Sequence, residues 1–350
     1  MDGMRILFLA DTHLGFDHPL HPRVDRRRRS DDFFSNYVLA LETARREEVD
    51  VVVHGGDLFA GSHIPQPIVV KAFEPLIDLA DDGIPVYIVP GNYERSKIPQ
   101  SLFSIHENIR IFSKPSTYYS TAGGLTISFS GFPYVQHCIR DGFPDVSANL
   151  AAGISGSPDV KILCMHQIVE GAKIGVFDYV FRRGSQVIRG RDVTDDFDVV
   201  LSGHIHRYQI LNRDAAGDPY PAIVYYPGSI DRTSFAERNE VKGYLILEIK
   251  IDEETRRPVI SHQFIPLPTR PMVSFDVTAA GLTTENLVER LGGLINSQDT
   301  NSIVRISVRG DLDENVEKIL TTAYLRSLAP DTMNVTLSVP GQLPHVDSAL

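Results

Sequence analysis

The sequence predicts an α/β protein with a second, smaller domain at its carboxyl end. Three observations lead there. Short, nearly continuous apolar runs alternate with helix-period segments over the first hundred residues; three prolines fall within the six positions 266–271; and strand–helix alternation resumes beyond them. Apolar runs of this kind suit strands buried on both faces. Strand–helix–strand order implies a parallel sheet with crossover helices.

In chain order, residues 5–10 form the first strand, which ends in Asp11-Thr12-His13-Leu14-Gly15. A helix is expected over about 32–48, with Ser30, Asp31 or Asp32 as its amino cap. The second strand, 50–54, runs into Gly55-Gly56-Asp57-Leu58-Phe59, and a helix near 67–79 leads to a third strand, 85–89. That strand exits through Pro90-Gly91-Asn92-Tyr93-Glu94. The middle of the chain turns toward β structure, with strands at 108–112, 125–129 and 160–165, the last leading into His166-Gln167. Residues 145–158 hold a short helix and a Gly/Ser/Pro loop. The apolar run 197–201 precedes Ser202-Gly203-His204-Ile205-His206. Strands at 208–212 and 222–226 flank Asp214-Ala215-Ala216-Gly217-Asp218, a hairpin signal, and strands at 243–251 and 259–266 follow.

The principal domain is thus read as 1–266, the linker as 267–271, a small domain as 272–340 and a tail as 341–350. Within the small domain, strands at 272–277, 302–308 and 333–339 alternate with helices near 284–295 and 314–325.

Hydrophobic content of 42% and charged content of 23% are ordinary for a globular chain. A net charge of −11 means that any nucleic-acid binding must come from local basic patches. Cys138 and Cys164 form no Cys-x-x-Cys, which fits a reducing compartment and argues against a thiolate zinc site. With no signal-peptide pattern and no apolar run of membrane-spanning length, the expected location is the cytoplasm, without a membrane partner.

The chemistry lies at the strand exits: Asp11 and His13, Asp57, Asn92, His166, and His204 with His206. Ligands gather outside the carboxyl ends of strands in open α/β sheets. A carboxylate shared by two divalent cations lowers their mutual repulsion and holds them about 3.5–4 Å apart. Asp57, standing alone after two glycines that let the backbone come close, is the natural bridge. An Asp/His/Asn set without sulfur favours manganese, iron or zinc. Such a pair of ions activates water near neutral pH and clamps the oxygens of a phosphoryl group. No Ser-His-Asp or Cys-His nucleophile arrangement and no Gly-rich nucleotide loop is present.

Asp11-Thr12-His13, Gly55-Gly56-Asp57, Gly91-Asn92, His166 and Gly203-His204-Ile205-His206 resemble, in order and in flanking residues, the five blocks of the calcineurin-like metallophosphoesterase superfamily. The resemblance covers about residues 4–266. Gly56-Asp57-Leu58-Phe59, Tyr226-Pro227-Gly228-Ser229 and Lys242-Gly243-Tyr244 further resemble the SbcD-type double-strand-break repair nucleases, as does a small domain after a proline-rich linker, which would match their DNA-capping domain. The resemblance implies a two-sheet β-sandwich flanked by helices, with a small α+β capping domain. It implies two Mn2+ ions, with Mg2+, Fe2+ or Zn2+ as alternatives. Asp11, His13, Asp57 and His206 would hold the first, and Asp57, Asn92, His166 and His204 the second. It also implies DNA exo- and endonuclease activity, a homodimer and a coiled-coil ATPase partner of the SMC type.

One block departs from the pattern. The family reads Gly-Asn-His followed by Asp or Glu, whereas this chain reads Gly91-Asn92-Tyr93-Glu94. The family's histidine is expected to protonate or stabilise the leaving oxygen. Imidazole, near pKa ~6.5, does this at neutral pH, while a phenol near ~10 donates a hydrogen bond but shuttles protons poorly. Tyr93 is therefore expected to leave the metal sites intact and to slow cleavage. A second departure is Ala60, where many relatives carry histidine; His63 is out of register with it. Arg26, Arg27, Arg28 and Arg29, together with Arg182 and Arg183, are placed to meet phosphates at the rim of the cleft, and Arg189 and Arg191 lie nearby in sequence. Three readings follow: a manganese-dependent DNA nuclease, a phosphatase or small phosphodiesterase on the same scaffold, and a catalytically quiet metal- and DNA-binding subunit.

Overall fold

The computed structural model describes residues 3–18, 26–93, 102, 104–310 and 320–338. They fall into two compact units. One comprises Met1–Phe16 with Asp32–Pro268, the other Asp17–Asp31 with Thr269–Leu350.

The first unit is built on two sheets. In one, β1 (Met4–Leu9), β2 (Val51–His54), β3 (Val86–Ile88) and β4 (Ile109–Ile111) run parallel; β15 (Gly243–Ile251) lies antiparallel beside β1, and β16 (Pro258–Pro266) antiparallel beside β15. In the other, the order is β13 (Gln209–Arg213), β14 (Pro219–Tyr226), β12 (Val199–Ser202), β7 (Val160–Met165), β6 (Leu125–Gly131) and β5 (Ser116–Ala122). Here β14, β12, β7 and β6 are parallel and the two edge strands antiparallel.

Alternation along each strand sorts the apolar side chains into layers. Ile6, Phe8, Val51 and Val53 of the first sheet share one buried cluster with Phe129, Ile162, Val199 and Leu201 of the second. The opposite-facing Leu7, Leu9, Val52 and Ile88 pack with Phe33, Tyr37, Phe73 and Leu76 of α1 (Arg29–Arg46) and α2 (Gln66–Asp81). On the far side, Leu163, Met165 and Val200 pack with Ile139, Phe143 and Leu150 of α3 (Ile139–Ala152). The result is a two-sheet sandwich flanked by helices. Burial on both faces is why β1 reads as a nearly continuous apolar run, interrupted only by the half-buried Arg5.

Several sequence expectations need correction. The first helix begins at Arg29, so Ser30, Asp31 and Asp32 lie in its first turn rather than at its cap, and Asp31 reaches back to accept the Arg28 N–H. The helix expected within 145–158 begins at Ile139: Gly142 and Pro144 read as breakers, but Ile139, Phe143, Ser147 and Leu150 fall on one buried stripe. β5 escaped notice because it is a Ser/Thr/Tyr-rich edge strand. Its hairpin signal was Gly123-Gly124, both at positive φ. Between Val169 and Val187 the chain also forms β9 (Lys173–Ile174) and β10 (Tyr179–Val180), an antiparallel pair, while β8 (Ile168–Val169) pairs with β11 (Val187–Ile188).

The proline-rich stretch is anchored rather than loose. Leu267 is buried and donates its N–H to the Lys242 carbonyl, and the Pro268 carbonyl accepts from the Asn36 side chain. The division between units falls after Pro268 and brings 17–31 in with the carboxyl-terminal segment, beyond the boundaries read from sequence.

In the second unit, β17 (Met272–Thr278), β18 (Ile303–Arg309) and β19 (Asn334–Ser338) are parallel, in that order, with α4 (Thr284–Asn296) and α5 (Thr322–Ser327) among the crossovers. Of the helix expected at 314–325, residues 314–319 lie outside the described residues, as does the tail at 341–350; the described part becomes helical only at Thr322. The buried Arg270 side chain donates to the carbonyls of Asn301, Ser302 and Thr332 and to Asn334, tying the strand starts together. Arg26 donates to the Arg326 and Ala329 carbonyls and pairs with Asp331, and Arg27 donates to Asn301. Among the described residues, no helix is long and apolar enough to cross a membrane.

Leu291 is fully buried against Val277, Val304 and Ile306. Leu291→Ala should destabilise this unit by about 2–5 kcal/mol through lost burial and a residual cavity, and the volume-conserving Leu291→Met by less than about 1.5 kcal/mol. Urea unfolding monitored by circular dichroism checks both; an unchanged midpoint for the alanine variant would contradict this packing.

Candidate metal centre

The ends of β1, β2 and β3 in one sheet and of β7 and β12 in the other deliver seven side chains to one place. Backbone hydrogen bonds zip the first two exits together: Asp11 N–H to Gly56 O at 2.9 Å, His13 N–H to Asp57 O at 3.0 Å and Leu14 N–H to Leu58 O at 2.8 Å. Asp11, His13, Asp57 and His204 all have positive φ, between 42° and 81°. Side chains with a β-carbon are disfavoured there, so the surrounding bonds hold these residues in place.

Glycine supplies the close approaches. A β-carbon on Gly91 would lie 2.1 Å from Asp57 Oδ1, and one on Gly56 2.3 Å from His166 Nδ1. At Gly203 it would meet the Gly55 carbonyl at 2.3 Å. No larger residue fits these positions without displacing a site side chain.

The ligating atoms form two neighbouring groups. Asp11, His13 and His206 present ligand atoms within 4.8 Å of one another, as do Asp57, His166 and His204. Asn92 joins the second group, its Oδ1 lying 3.1 Å from both His166 Nε2 and His204 Nδ1. Asp57 Oδ2 is 3.4 Å from His166 Nε2, while its Oδ1 accepts the Tyr93 N–H at 3.3 Å. His13 Nε2 faces His206 Nε2 at 3.0 Å. Nitrogen and oxygen ligand atoms thus crowd together in both groups, an arrangement that either a shared proton or a cation relieves. The donor set, imidazole nitrogens with carboxylate and amide oxygens and no sulfur, suits first-row divalent ions.

Tautomers are fixed from outside. His166 donates Nδ1–H to the Gly55 carbonyl at 2.7 Å, which turns Nε2 toward the centre. His206 Nδ1 donates to Glu237 Oε1 at 3.2 Å, leaving Nε2 free to bind. Glu237 is held in turn by the Thr233 hydroxyl and the buried Lys242 ammonium, and Lys242 also donates to the His206 carbonyl. Behind the site, His54 Nδ1 accepts the Gly56 N–H, so its Nε2–H donates to Thr12, whose hydroxyl donates to the Leu58 carbonyl. Tyr134 lies against His204 and His166, with ring centroids 5.3 and 5.8 Å away.

Sequence reasoning did not single out Glu237, His54 or Tyr134. The only local hint of Glu237 was Ser234-Phe235-Ala236-Glu237, a capping-box spacing that marks the start of a helical turn. The expected site residues Tyr93, Asp11, His13, Asp57, Asn92, His166, His204 and His206 all come together. Arg182 and Arg183 are exposed in the segment after β10, while Arg26 and Arg27 make the contacts within the second unit given above.

Burial dominates the charge states. It pushes His13 and His204 down to about 3, with neighbouring imidazoles adding to the shift, so both are neutral ligands. Burial also opposes charge on His166, but the Asp57 and Asp11 carboxylates outweigh it and raise this histidine to about 9. Burial lifts Asp11 to about 6 against the pull of His166 and His206. Asp57 resists the same burial through His166 and stays below the ordinary carboxylate range.

A sequence profile described as calcineurin-like phosphoesterase matches residues 4–208. The chain is 25% identical over 312 residues to the DNA double-strand break repair protein Mre11 of Sulfurisphaera tokodaii, covering 86% of this chain and 71% of that one. It is 26% identical over 255 residues to the protein of the same name from Methanopyrus kandleri, covering 69% of this chain and 51% of that one, about half its length. Among solved structures, a dimetal phosphatase from Danio rerio aligns with 75% of this chain and 98% of its own at 12% identity, with a TM-score of 0.45.

A metal ligand must be deprotonated, and below pH 9 the metal-free site keeps a proton on His166. Burial opposes charge on His206 as well, but Glu237 and Asp11 hold it above its ordinary value, so divalent-metal uptake at pH 7.5 should release at least one proton per chain, and affinity should weaken as pH falls. Titration calorimetry in two buffers of different ionisation enthalpy measures the release; buffer-independent heats would contradict it.

Proposed function

The chain belongs to the calcineurin-like phosphoesterase family, and from that premise we propose that it is a two-metal phosphodiesterase acting on DNA, of the double-strand-break repair type. The observation that carries this reading is the convergence of Asp11, His13 and His206 beside Asp57, Asn92, His166 and His204. In this reading Asp11, His13 and His206 would hold one ion and Asn92, His166 and His204 the other, with Asp57 contributing to both. When bound, a pair of ions activates water at neutral pH and neutralises the oxygens of the phosphoryl group. Manganese suits this set of ligands. DNA as substrate is supported by the two relatives, which are double-strand-break repair proteins by name. A homodimer and a coiled-coil ATPase partner belong to the same reading, as does a role for the second unit in capping DNA.

The residues divide the work. His13 and His204, held neutral by burial, offer lone pairs. Glu237 and the Gly55 carbonyl aim His206 and His166, and the Asp11 carboxylate also accepts the His204 N–H at 3.0 Å. Tyr93 stands where the family has its proton-donating histidine. Its ring lies edge-on to His13 with centroids 5.9 Å apart, and its N–H supports Asp57. Tyr93 thus helps build the site but brings a phenol, a poor proton donor at neutral pH, to the leaving group. That feature favours a second reading, in which this chain binds metal and DNA but turns over slowly.

Manganese-dependent cleavage of linear and plasmid DNA, measured on this chain and on Tyr93→His, tests the proposal. The histidine variant should cleave roughly 10²–10⁴-fold faster with unchanged metal content by elemental analysis, and chelation should abolish both activities. Equal rates at equal metal content would refute the role given to position 93. Absence of cleavage by both would leave the metal- and DNA-binding reading.

A further inference from the structure

The β9–β10 hairpin carries an exposed aromatic tip. Phe177 is 97% exposed, and its neighbours Val176 and Tyr179 are 50% and 59% exposed. The turn that presents it is tightly built. Asp178 N–H donates to the Gly175 carbonyl at 3.3 Å, and both residues take positive φ.

Two side chains just beyond His206 anchor this hairpin. The Arg207 guanidinium pairs with the Asp178 carboxylate, donates to the Gly175 carbonyl at 2.6 Å and pairs with Glu240. Gln209 bonds Lys173 in both directions, its Oε1 accepting the Lys173 N–H and its Nε2 donating to the Lys173 carbonyl. At the hairpin's base, Phe181 N–H pairs with the Ala172 carbonyl, and the Phe181 ring packs edge-on against Tyr179. The tip is thus fixed, at both ends of its turn, to the residue that follows a metal-site histidine.

Its charge is unlike that of the chain as a whole. From 173 to 183 the only carboxylate is Asp178, already matched by Arg207, against Lys173, Arg182 and Arg183. All three cations are exposed. A projecting ring between basic side chains, close to a phosphodiester-cleaving centre, fits a single nucleic-acid strand: rings stack on bases whatever their identity, and the cations follow the backbone. An apolar protein partner would gain nothing from the cations.

We propose that this hairpin is a stacking platform for unpaired nucleobases, with Phe177 as the contact ring and Lys173, Arg182 and Arg183 at the phosphates, placing a frayed or single-stranded end beside the metal centre. The inference rests on the DNA reading above. It assigns Phe177 to substrate binding and leaves the metal chemistry untouched.

The chain contains no tryptophan, so Phe177→Trp creates a unique fluorophore at the tip. On addition of a cleavage-resistant phosphorothioate oligonucleotide to the manganese-loaded protein, its emission should be quenched by single-stranded more than by blunt duplex DNA. Phe177→Ala should weaken single-strand binding, by fluorescence anisotropy, roughly 5- to 100-fold and duplex binding much less. Hydrolysis of bis(p-nitrophenyl) phosphate, which has no base to stack, should be unchanged. DNA binding by the unmodified chain that is indifferent to Phe177→Ala, or a tryptophan insensitive to bound strand, would overturn the platform while leaving the DNA reading standing. No DNA binding by the unmodified chain, with the small diester still hydrolysed, would overturn both.

Discussion

Crowding of lone pairs is the constraint on which the rest of the first unit depends. Four imidazoles, two carboxylates and an amide oxygen crowd together, with neighbouring ligand atoms 3.0–3.9 Å apart; Asp11, His13, Asp57 and His166 are buried, and Asn92, His204 and His206 are half-buried. Burial alone would neutralise the carboxylates, yet Asp57 stays ionised because His166 holds a proton beside it. Without an ion, the centre is a compromise among groups that would rather be apart. Left-handed backbone at Asp11, His13, Asp57 and His204 marks where the fold forces them together.

What forces them is the sandwich. Parallel strands end on the same side, so β1, β2 and β3 open toward one edge, and β7 and β12 do so in the facing sheet. Packing of Phe8 and Val53 against Ile162 and Leu201 sets the spacing of the sheets. Gly55 and Gly203 then let the exits meet: a β-carbon on Gly55 would come within 3.2 Å of Gly203 N. The outer polar residues complete the task. Lys242 is wholly buried, which is costly for an ammonium, but it satisfies Glu237, Glu240 and the His206 carbonyl together. One side chain thereby fixes the orientation of a ligand from two directions.

Much of this was legible in the chain because the candidate ligands come soon after apolar runs and three of the seven, Asp57, Asn92 and His204, directly follow a glycine. Strand, exit and ligand are local, so linear order reveals them. Glu237 was hidden because it reaches His206 only after the chain has run through a hairpin and back, and no spacing encodes that return. Tyr134 was hidden for the opposite reason: its ring is buried like any core aromatic, and only its neighbours His166 and His204 distinguish it. In the fold, α3 was obscured by Gly142 and Pro144, whose local preferences lose to the burial of Phe143 and Leu150. The polar edge strand β5 lacked an apolar rhythm because water solvates much of its surface.

Under the proposed reading, Tyr93 would let the site keep its architecture while its chemistry is altered. The contribution of this residue to Asp57 comes from its backbone N–H, which almost any side chain would supply. Asn92, one position earlier, meets His166 and His204 through its own side chain. If position 93 delivers the proton as proposed, ligand placement and proton delivery are encoded in different atoms of adjacent residues. A change of side chain at position 93 leaves the seven candidate ligands where β1, β2, β3, β7 and β12 put them. In that reading the features that assemble the candidate centre would not include the atom that finishes the reaction, so the two can vary independently.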